Sequence, residues 1–588
     1  MDYNLYSQAE EKTSTRAALN KLLHFMAEEK KNLFLAMGII MINSGINLLA
    51  PFLLGYTIDH YVQTKQYSGV LTFSALLLGL YLIGLATRYW QTQLMGGVGQ
   101  RMLFSLRNAV FGKLQELPVA FFNQNKAGDL ISRINNDTDK VNQFFSQSLV
   151  QFIDSIFIML GAGIFLLSIN TELGAASLGP ALLLLIFTKV ISPWVKRKNA
   201  ASMKSTGGLS SEIQESLNNF KVIIAFNRRD YFRQRFDEAN RDNYRSALGA
   251  GLANNLFMPV FTFCANIAQL VVLAFGIYLI AAGHFTIGLL ISFLAYVNSF
   301  YMPLRQLAAL WANFQIAMAA WDRISRILSF RTDLLTLPAP AAAALPEAPA
   351  SLLRFEDVSF RYPDGKEVLH HINLDLKPGK TYALVGPTGG GKTTTASLIA
   401  RLYDPTEGEV LLAGKDIRSY TPEERSAKIG FILQDPFLFT GTLRDNIVYG
   451  DAQLESLSRE QLEAVIAGAG LSHLLERFEK GLDTEVAATG DSISLGQKQL
   501  IAFIRAVLRR PELLILDEAT ANIDTVTEQL LEDILQQLPA ETTRVIIAHR
   551  LNTIENADEI YFVNAGNVVN AGSLDHAMHM LLHDKRES

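Results

Sequence analysis

The chain has 588 residues, too many for one hydrophobic core, so two or three domains are expected. Hydrophobic residues make up 49% of it and charged residues only 19%, which is apolar for a soluble protein. A net charge of −5 gives no reason to expect a nucleic-acid partner, and the single cysteine, Cys264, excludes both an intramolecular disulfide framework and a cysteine cluster for zinc.

The first residues, "MDYNLYSQAEEKTSTRAALNK", are polar and carry acids, so they read neither as a signal peptide nor as a transit peptide. "RAALNKLLHFMAEEKKN" has apolar residues at helical spacing and fits either a helix on the membrane surface or a simple lead-in. Residues 1–32 are taken as a cytoplasmic lead-in segment. Long uncharged runs follow: Leu33–Ile58, Gly69–Thr87, Ala247–Gly283 and Phe285–Leu304, each long enough to cross a bilayer. Phe144–Ile169, containing Asp154, and Leu173–Val195, interrupted by Lys189 and Pro193, bring the spans to six. Cys264 reads as a small apolar residue inside one of them.

The stretches Arg88–Lys140 and Lys196–Arg245 are rich in Lys and Arg, whereas Lys65 is the only cation between spans one and two. The positive-inside rule then puts both termini and the two long loops in the cytoplasm. Those loops read as helical, as if the spans continue beyond the membrane. Asp154 stands out, because a mid-span carboxylate costs roughly 2.5–3.5 kcal/mol on insertion scales. It is expected to line a substrate cavity or to make an internal hydrogen bond that fixes packing.

"RTDLLTLPAPAAAALPEAPA", residues 331–350, is dominated by Pro and Ala and reads as a linker after a membrane domain of residues 33–330. From Ser351 to the last residue, 588, short β-rich runs alternate with helical ones, the pattern of an α/β nucleotide-binding domain. "TYALVGPTGGGKTTTASLIARL" places G-x-x-x-x-G-K-[ST] between an apolar strand and a helix, which is a complete P-loop. Gly386, Pro387, Thr388, Gly389, Gly390 and Gly391 would wrap phosphates with backbone N–H groups. Lys392 would reach the β and γ phosphates, Thr393 would bind Mg²⁺, and Thr394 follows in the same helix. In "PELLILDEATANID" a buried-strand run ends at Asp517, placed to hold Mg²⁺, and Glu518, placed to polarise the attacking water. "TRVIIAHRL" ends another apolar strand near His549, where an imidazole can contact a γ-phosphate.

With these pieces in order, the chain resembles an ATP-binding-cassette transporter of the exporter type: a membrane all-α six-helix domain followed by an α/β P-loop NTPase, the half-transporter layout. The resemblance implies that Tyr362 in "VSFRYPDG" stacks on adenine and that Gln434 in "IGFILQDPFLF" joins Mg²⁺ and water. It also implies that Asp524 in "ANID" lies at a dimer seam and that His549 is the switch histidine. "LPVAFFNQNKAGDLISRINNDTDKV" and "SSEIQESLNNFKVIIAFNRRDYF" look like the family's two coupling-helix regions, the second docking on a partner's cassette. "ISLGQ" looks like the signature motif, whose Ser494, Leu495, Gly496 and Gln497 would press on ATP held by the other cassette. ATP and Mg²⁺ are therefore the implied ligands.

Here the sequence departs from the family. Leu495 stands where the signature commonly has its first glycine, and Ala488 and Thr489 replace a Glu-Arg pair. Intact Lys392, Asp517, Glu518 and His549 beside an altered signature resemble one subunit of the asymmetric heterodimeric exporters. The expected activity is ATP-driven export of a small amphiphile, lipid or peptide from a plasma (inner) membrane, with a second half-transporter as partner. The alternatives are a homodimeric exporter, an exporter-like importer and an ATP-gated channel.

Overall fold

The computed structural model describes residues 3–5, 27–332, 334, 336–337, 351–363, 365–434, 436–487, 493–517, 525–547 and 552–583. Glu518, Asp524, His549, Ala488 and Thr489, and most of the lead-in and linker, lie outside the described residues. The chain divides into two compact units. One comprises Glu11–Leu114 and Gly128–Ser329; the other comprises Met1–Glu10, Gln115–Ala127 and Phe330–Ser588.

Among the described residues, six helices are long and apolar enough to cross a membrane: α1 (Lys30–Val62), α2 (Tyr67–Glu116), α3 (Ala127–Ile169), α4 (Thr171–Asn218), α5 (Arg229–Ala281) and α6 (Ile287–Ser329). Helix is the natural form here, because a spanning segment must satisfy its own backbone hydrogen bonds. At up to 53 residues, these helices exceed the roughly 20 needed for a hydrocarbon core. The surplus accounts for the two long polar stretches, which are helical continuations and not loops. Each ends in a short helix: Val119–Gln124 after α2, and Phe220–Ala225 after α4.

Helix α6 packs against α1, α3 and α5, and its Phe293, Tyr296 and Val297 are fully buried. The α1–α6 contact is close because both helices present glycine. A Cβ on Gly55 would lie 2.0 Å from Ser292 Oγ and 2.4 Å from the Gly288 carbonyl oxygen. Side chains then reach main chain across the gap: Ser292 Oγ donates to Pro51 O at 2.7 Å and Tyr296 Oη to Leu48 O at 2.6 Å. Asp59 of α1 accepts the Gly288 N–H at 2.7 Å and the Thr286 hydroxyl at 2.5 Å, covering the exposed N–H groups at the start of α6. Cys264 is buried in the apolar core that α5 shares with α4 and α6.

Among the described residues, the unit that contains Phe330–Ser588 carries two main sheets. A four-stranded antiparallel sheet has the order β2-β1-β4-β5, formed by β1 (Leu353–Arg361), β2 (Glu367–Leu376), β4 (Glu407–Leu412) and β5 (Lys415–Asp416). A six-stranded sheet runs β12-β11-β3-β10-β9-β6, from β3 (Thr381–Val385), β6 (Ile429–Ile432), β9 (Leu513–Asp517), β10 (Thr543–Ile547), β11 (Glu559–Asn564) and β12 (Asn567–Asn570). Every pairing in it is parallel except β11 with β12. A parallel sheet is covered on both faces, which is why β9 reads as the unbroken run LLILD with all five residues buried. A two-residue pair of strands, β7 (Gly441–Thr442) and β8 (Glu485–Val486), closes the helical part.

Replacing Gly55 by Ala inserts a methyl group where backbone stands, and overpacking of this kind costs about 1–3 kcal/mol. The thermal midpoint of the detergent-purified Gly55→Ala chain is expected below that of the unaltered chain. An unchanged midpoint would contradict the described α1–α6 contact.

Candidate functional site

Strand register builds the centre of the site. Ile547 of β10 pairs with Leu384 of β3 on one side and Asp517 of β9 on the other. The end of β9 therefore sits level with the exit of β3, at the carboxyl edge of the sheet where α/β folds bind ligands. From β3 the chain passes through Gly386–Gly391 into helix α7 (Lys392–Ile399).

Two of the loop's glycines show what the geometry requires. A Cβ on Gly386 would fall 2.0 Å from the carbonyl oxygen of Val563 in β11, so the loop can pass that strand only without a side chain. Gly391 holds φ +114° as the N-cap of α7, a conformation L residues rarely adopt. Val563 was not legible as a determinant of the loop, since it contacts it from more than 170 positions away.

Lys392 is 5% exposed, and its Nζ donates to the carbonyls of Gly386 at 2.8 Å and Pro387 at 3.0 Å. Thr393 Oγ1 lies 3.5 Å from Asp517 Oδ1, and Asp517 is buried. A buried ammonium at a helix N-terminus beside a hydroxyl–carboxylate pair fits a nucleoside triphosphate with a hard divalent cation, which takes oxygen ligands. Thr388, Gly389 and Gly390 complete the loop, and the Gly390 N–H turns inward to Pro387 O at 3.1 Å.

Tyr362 follows β1, and its hydroxyl lies 3.1 Å from Thr394 Oγ1 in α7. Its ring meets Phe360 edge-on at 4.8 Å and Tyr403 at 5.3 Å. Sequence reasoning passed over Tyr403, in "ARLYDP" directly after α7. Asn123 of the short helix Val119–Gln124 donates to its hydroxyl at 2.8 Å, and burial pushes its phenol above the ordinary tyrosine range. Gln434 is exposed just beyond β6.

Ser494 is the N-cap of helix α8 (Leu495–Leu508). Its Oγ accepts the Gln497 N–H at 3.2 Å, and its own N–H donates to Gln497 Oε1 at 3.0 Å, a reciprocal capping box. Two of the four signature residues are thus committed to starting the helix. Leu495 and Gly496 both have ordinary helical backbone, so neither needs glycine's conformational freedom. Leu495 is 38% exposed, and its side chain alters only what can approach from outside. Farther along, Arg505 ties α8 to the segment after Gln434: it donates to Asn446 O at 2.7 Å and lies 5.6 Å from the Tyr449 ring centre. Burial lowers the affinity of this guanidinium for its proton.

In the other unit, Ser44 of α1 donates to Asp154 Oδ1 at 2.8 Å. Beside it, Asn43 donates to Gln91 at 2.8 Å and accepts from Thr87 at 2.7 Å, a run of polar contacts joining α1, α2 and α3 within the apolar helices.

Residues 33–304 match the family model described as the ABC transporter transmembrane region, and residues 369–521 match the model described as ABC transporter. The chain is 35% identical over 561 residues, 95% of its length and 92% of the other's, to "Uncharacterized ABC transporter ATP-binding protein YfiC" of Bacillus subtilis (strain 168). It is 35% identical over 513 residues, 87% of its length and 80% of the other's, to "Fatty acid ABC transporter ATP-binding/permease protein" of Mycobacterium tuberculosis (strain CDC 1551 / Oshkosh). A third similar protein is "Multidrug resistance ABC transporter ATP-binding and permease protein" of Lactococcus lactis subsp. cremoris (strain MG1363), 30% identical over 581 residues, 97% and 95% of the two lengths. With six apolar helices and an assembled phosphate-binding loop in one polypeptide, the chain belongs to the ABC transporter family, as a multi-pass membrane protein of exporter type that couples ATP hydrolysis to transport.

Proposed function

We propose that the chain is one half of an exporter of small amphiphilic molecules that alternates between inward-open and ATP-closed, outward-open forms with a second half-transporter. The observation that carries the two-subunit reading is the exposed start of α8. Its cap is internal, while the first-turn N–H groups of Leu495 and Gly496 have no acceptor among the described residues. An anion brought by another cassette suits that end. Exposed apolar surfaces support the same reading. Helix Phe220–Ala225 with Phe226 exposes Phe220, Val222, Ile224 and Phe226, and the cassette exposes Leu433, Phe437, Phe439 and Tyr449 around Gln434. None of the most apolar window of α2 is buried within the chain.

In the proposed site Lys392 holds the β and γ phosphates, Tyr362 stacks on adenine, and Thr393, Asp517 and Gln434 hold Mg²⁺. Bound Mg²⁺ would neutralise charge developing on the transferred phosphoryl oxygens. Glu518, next in sequence after Asp517, takes the proton of the attacking water; His549 contacts the γ-phosphate, and Asp524 lines the subunit seam. The names of relatives, fatty acid and multidrug transporters, support an amphiphile as cargo. The Lys- and Arg-rich helical extensions support a cytoplasmic cassette beneath a plasma (inner) membrane. We place the membrane domain at 33–330, the linker at 331–350 and the cassette at 351–588, with residues 115–127 grouped in the cassette's compact unit. The leucine at 495 supports a partner of different sequence, carrying glycine at that position.

In the transporter assembled with its partner, Glu518→Gln is expected to retain Mg-ATP binding and lose hydrolysis by at least about tenfold, the low end of what general-base catalysis contributes. Unchanged turnover would remove Glu518 from the role. Purified alone in lipid nanodiscs, the unaltered chain is expected to bind Mg-ATP and to hydrolyse it no faster than its Glu518→Gln form. Vigorous turnover would mean that two copies of this chain suffice, and the partner of different sequence would fall.

A further inference from the structure

Tyr3 and Leu5, two residues of an otherwise polar N-terminal stretch, are 1% and 2% exposed. Terminal residues are ordered only where something ties them down. Here the tie is specific. Asn125, just beyond the short helix Val119–Gln124, accepts the Leu5 N–H at 3.1 Å and donates to Tyr3 O at 2.9 Å. One amide side chain therefore holds main-chain groups of both residues. The same Asn125 amide donates to Phe121 O at 2.8 Å, inside the short helix. Gln124 Oε1 accepts the Tyr3 N–H at 2.9 Å.

The Tyr3 ring fills the corner between this helix and the chain leading into the cassette. It meets Phe121 edge-on at 6.4 Å and Phe330 at 5.7 Å, and those two rings lie 5.6 Å apart. The Tyr3 hydroxyl donates to Arg331 O at 3.2 Å. Asn123 of the same helix donates to Tyr403, which packs on Tyr362, whose hydroxyl neighbours Thr394 of the P-loop helix. The short helix is therefore gripped twice, by Tyr3–Leu5 and by the aromatic group beside the nucleotide loop.

We propose that residues 3–5 form an N-terminal strap whose Tyr3, with Asn125, is a positioning element of energy coupling: it fixes the first coupling helix against the cassette so that closure over ATP is passed to the membrane helices. The inference rests on the ATP-driven reading above. Loss of the strap leaves the nucleotide loop intact and loosens only the grip on the helix.

The test uses the assembled transporter in lipid nanodiscs, with Mg-ATP and vanadate as the only ligands. It reads ATP hydrolysis, and it reads backbone hydrogen exchange at residues 58–66, the end of α1 and its connection to α2. In Tyr3→Ala and in Asn125→Ala, the KM for ATP is expected to stay within about twofold. The nucleotide-induced change in exchange is expected to fall at least about threefold. Tyr3→Phe, which keeps the ring, should retain most of that change. A full exchange response in Tyr3→Ala would overturn the proposal. So would an equal loss of ATP binding and exchange response, which marks simple destabilisation. Should the variants fail to accumulate, a protease site inserted after Glu10 allows the strap to be cut in folded transporter, with the same expected split and the same overturning results. Absence of hydrolysis in the unaltered transporter would instead refute the ATP-driven reading, a distinct failure.

Discussion

The structure turns on the register that sets β9 level with β3 through β10. Because Asp517, Ile547 and Leu384 share one level, a carboxylate from one strand and a glycine loop from another meet at the same edge of the sheet. Once that edge exists, Lys392 can be buried against two carbonyls and Thr393 can face Asp517. The glycines serve this arrangement from inside, since Val563 O stands where a Gly386 side chain would be. A one-residue slip of β9 would turn Asp517 to the opposite face of the sheet and dismantle the site without changing its composition.

What the edge does depends on how its motion leaves the cassette. Two latches stand out. Arg505 joins the signature helix to Asn446 and to the aromatic segment following Gln434, so the helix that would meet a partner's phosphate and the loop that would sense Mg²⁺ are mechanically one piece. Asn123, Tyr403, Tyr362 and Thr394 form a second series of contacts, from the first short helix to the P-loop helix. Packed elements of this kind have discrete arrangements and deform little between them, which suits a machine with two states. In the membrane unit, the α1–α6 seam is held by side chains on main-chain carbonyls and by Asp59 on the start of α6, all directional contacts.

Local features were legible in the sequence and distant pairings were not. Four uncharged runs and two with a single charge each announced six spans, and G-x-x-x-x-G-K-T announced the phosphate loop, because each is written in consecutive residues. The helical character of the long polar stretches was legible too, and resemblance marked residues 117–141 and 210–232 as coupling-helix regions, while the short helices Val119–Gln124 and Phe220–Ala225 within them came from the structure. Tyr403, Asn125, Val563 and the burial of Tyr3 were invisible, since each acquires its role from a partner far away in the chain. Ser494 and Gln497 were read only as parts of a signature motif. Their S-x-x-Q spacing also specifies a capping box, and that signal was available. It explains how Leu495 is accommodated: the helix start depends on positions 494 and 497, so a leucine at 495 leaves it formed.

The central claim is that ATP closes another cassette over the start of α8. The most direct measurement is maleimide labelling of Leu495→Cys, in a Cys264→Ala and Glu518→Gln background of the assembled transporter, with and without Mg-ATP. Leu495 lies outside the capping box, so the helix start is preserved. If ATP drives about nine molecules in ten closed, labelling slows about tenfold. Labelling at the same rate with and without Mg-ATP, in protein that binds the nucleotide, would contradict the account.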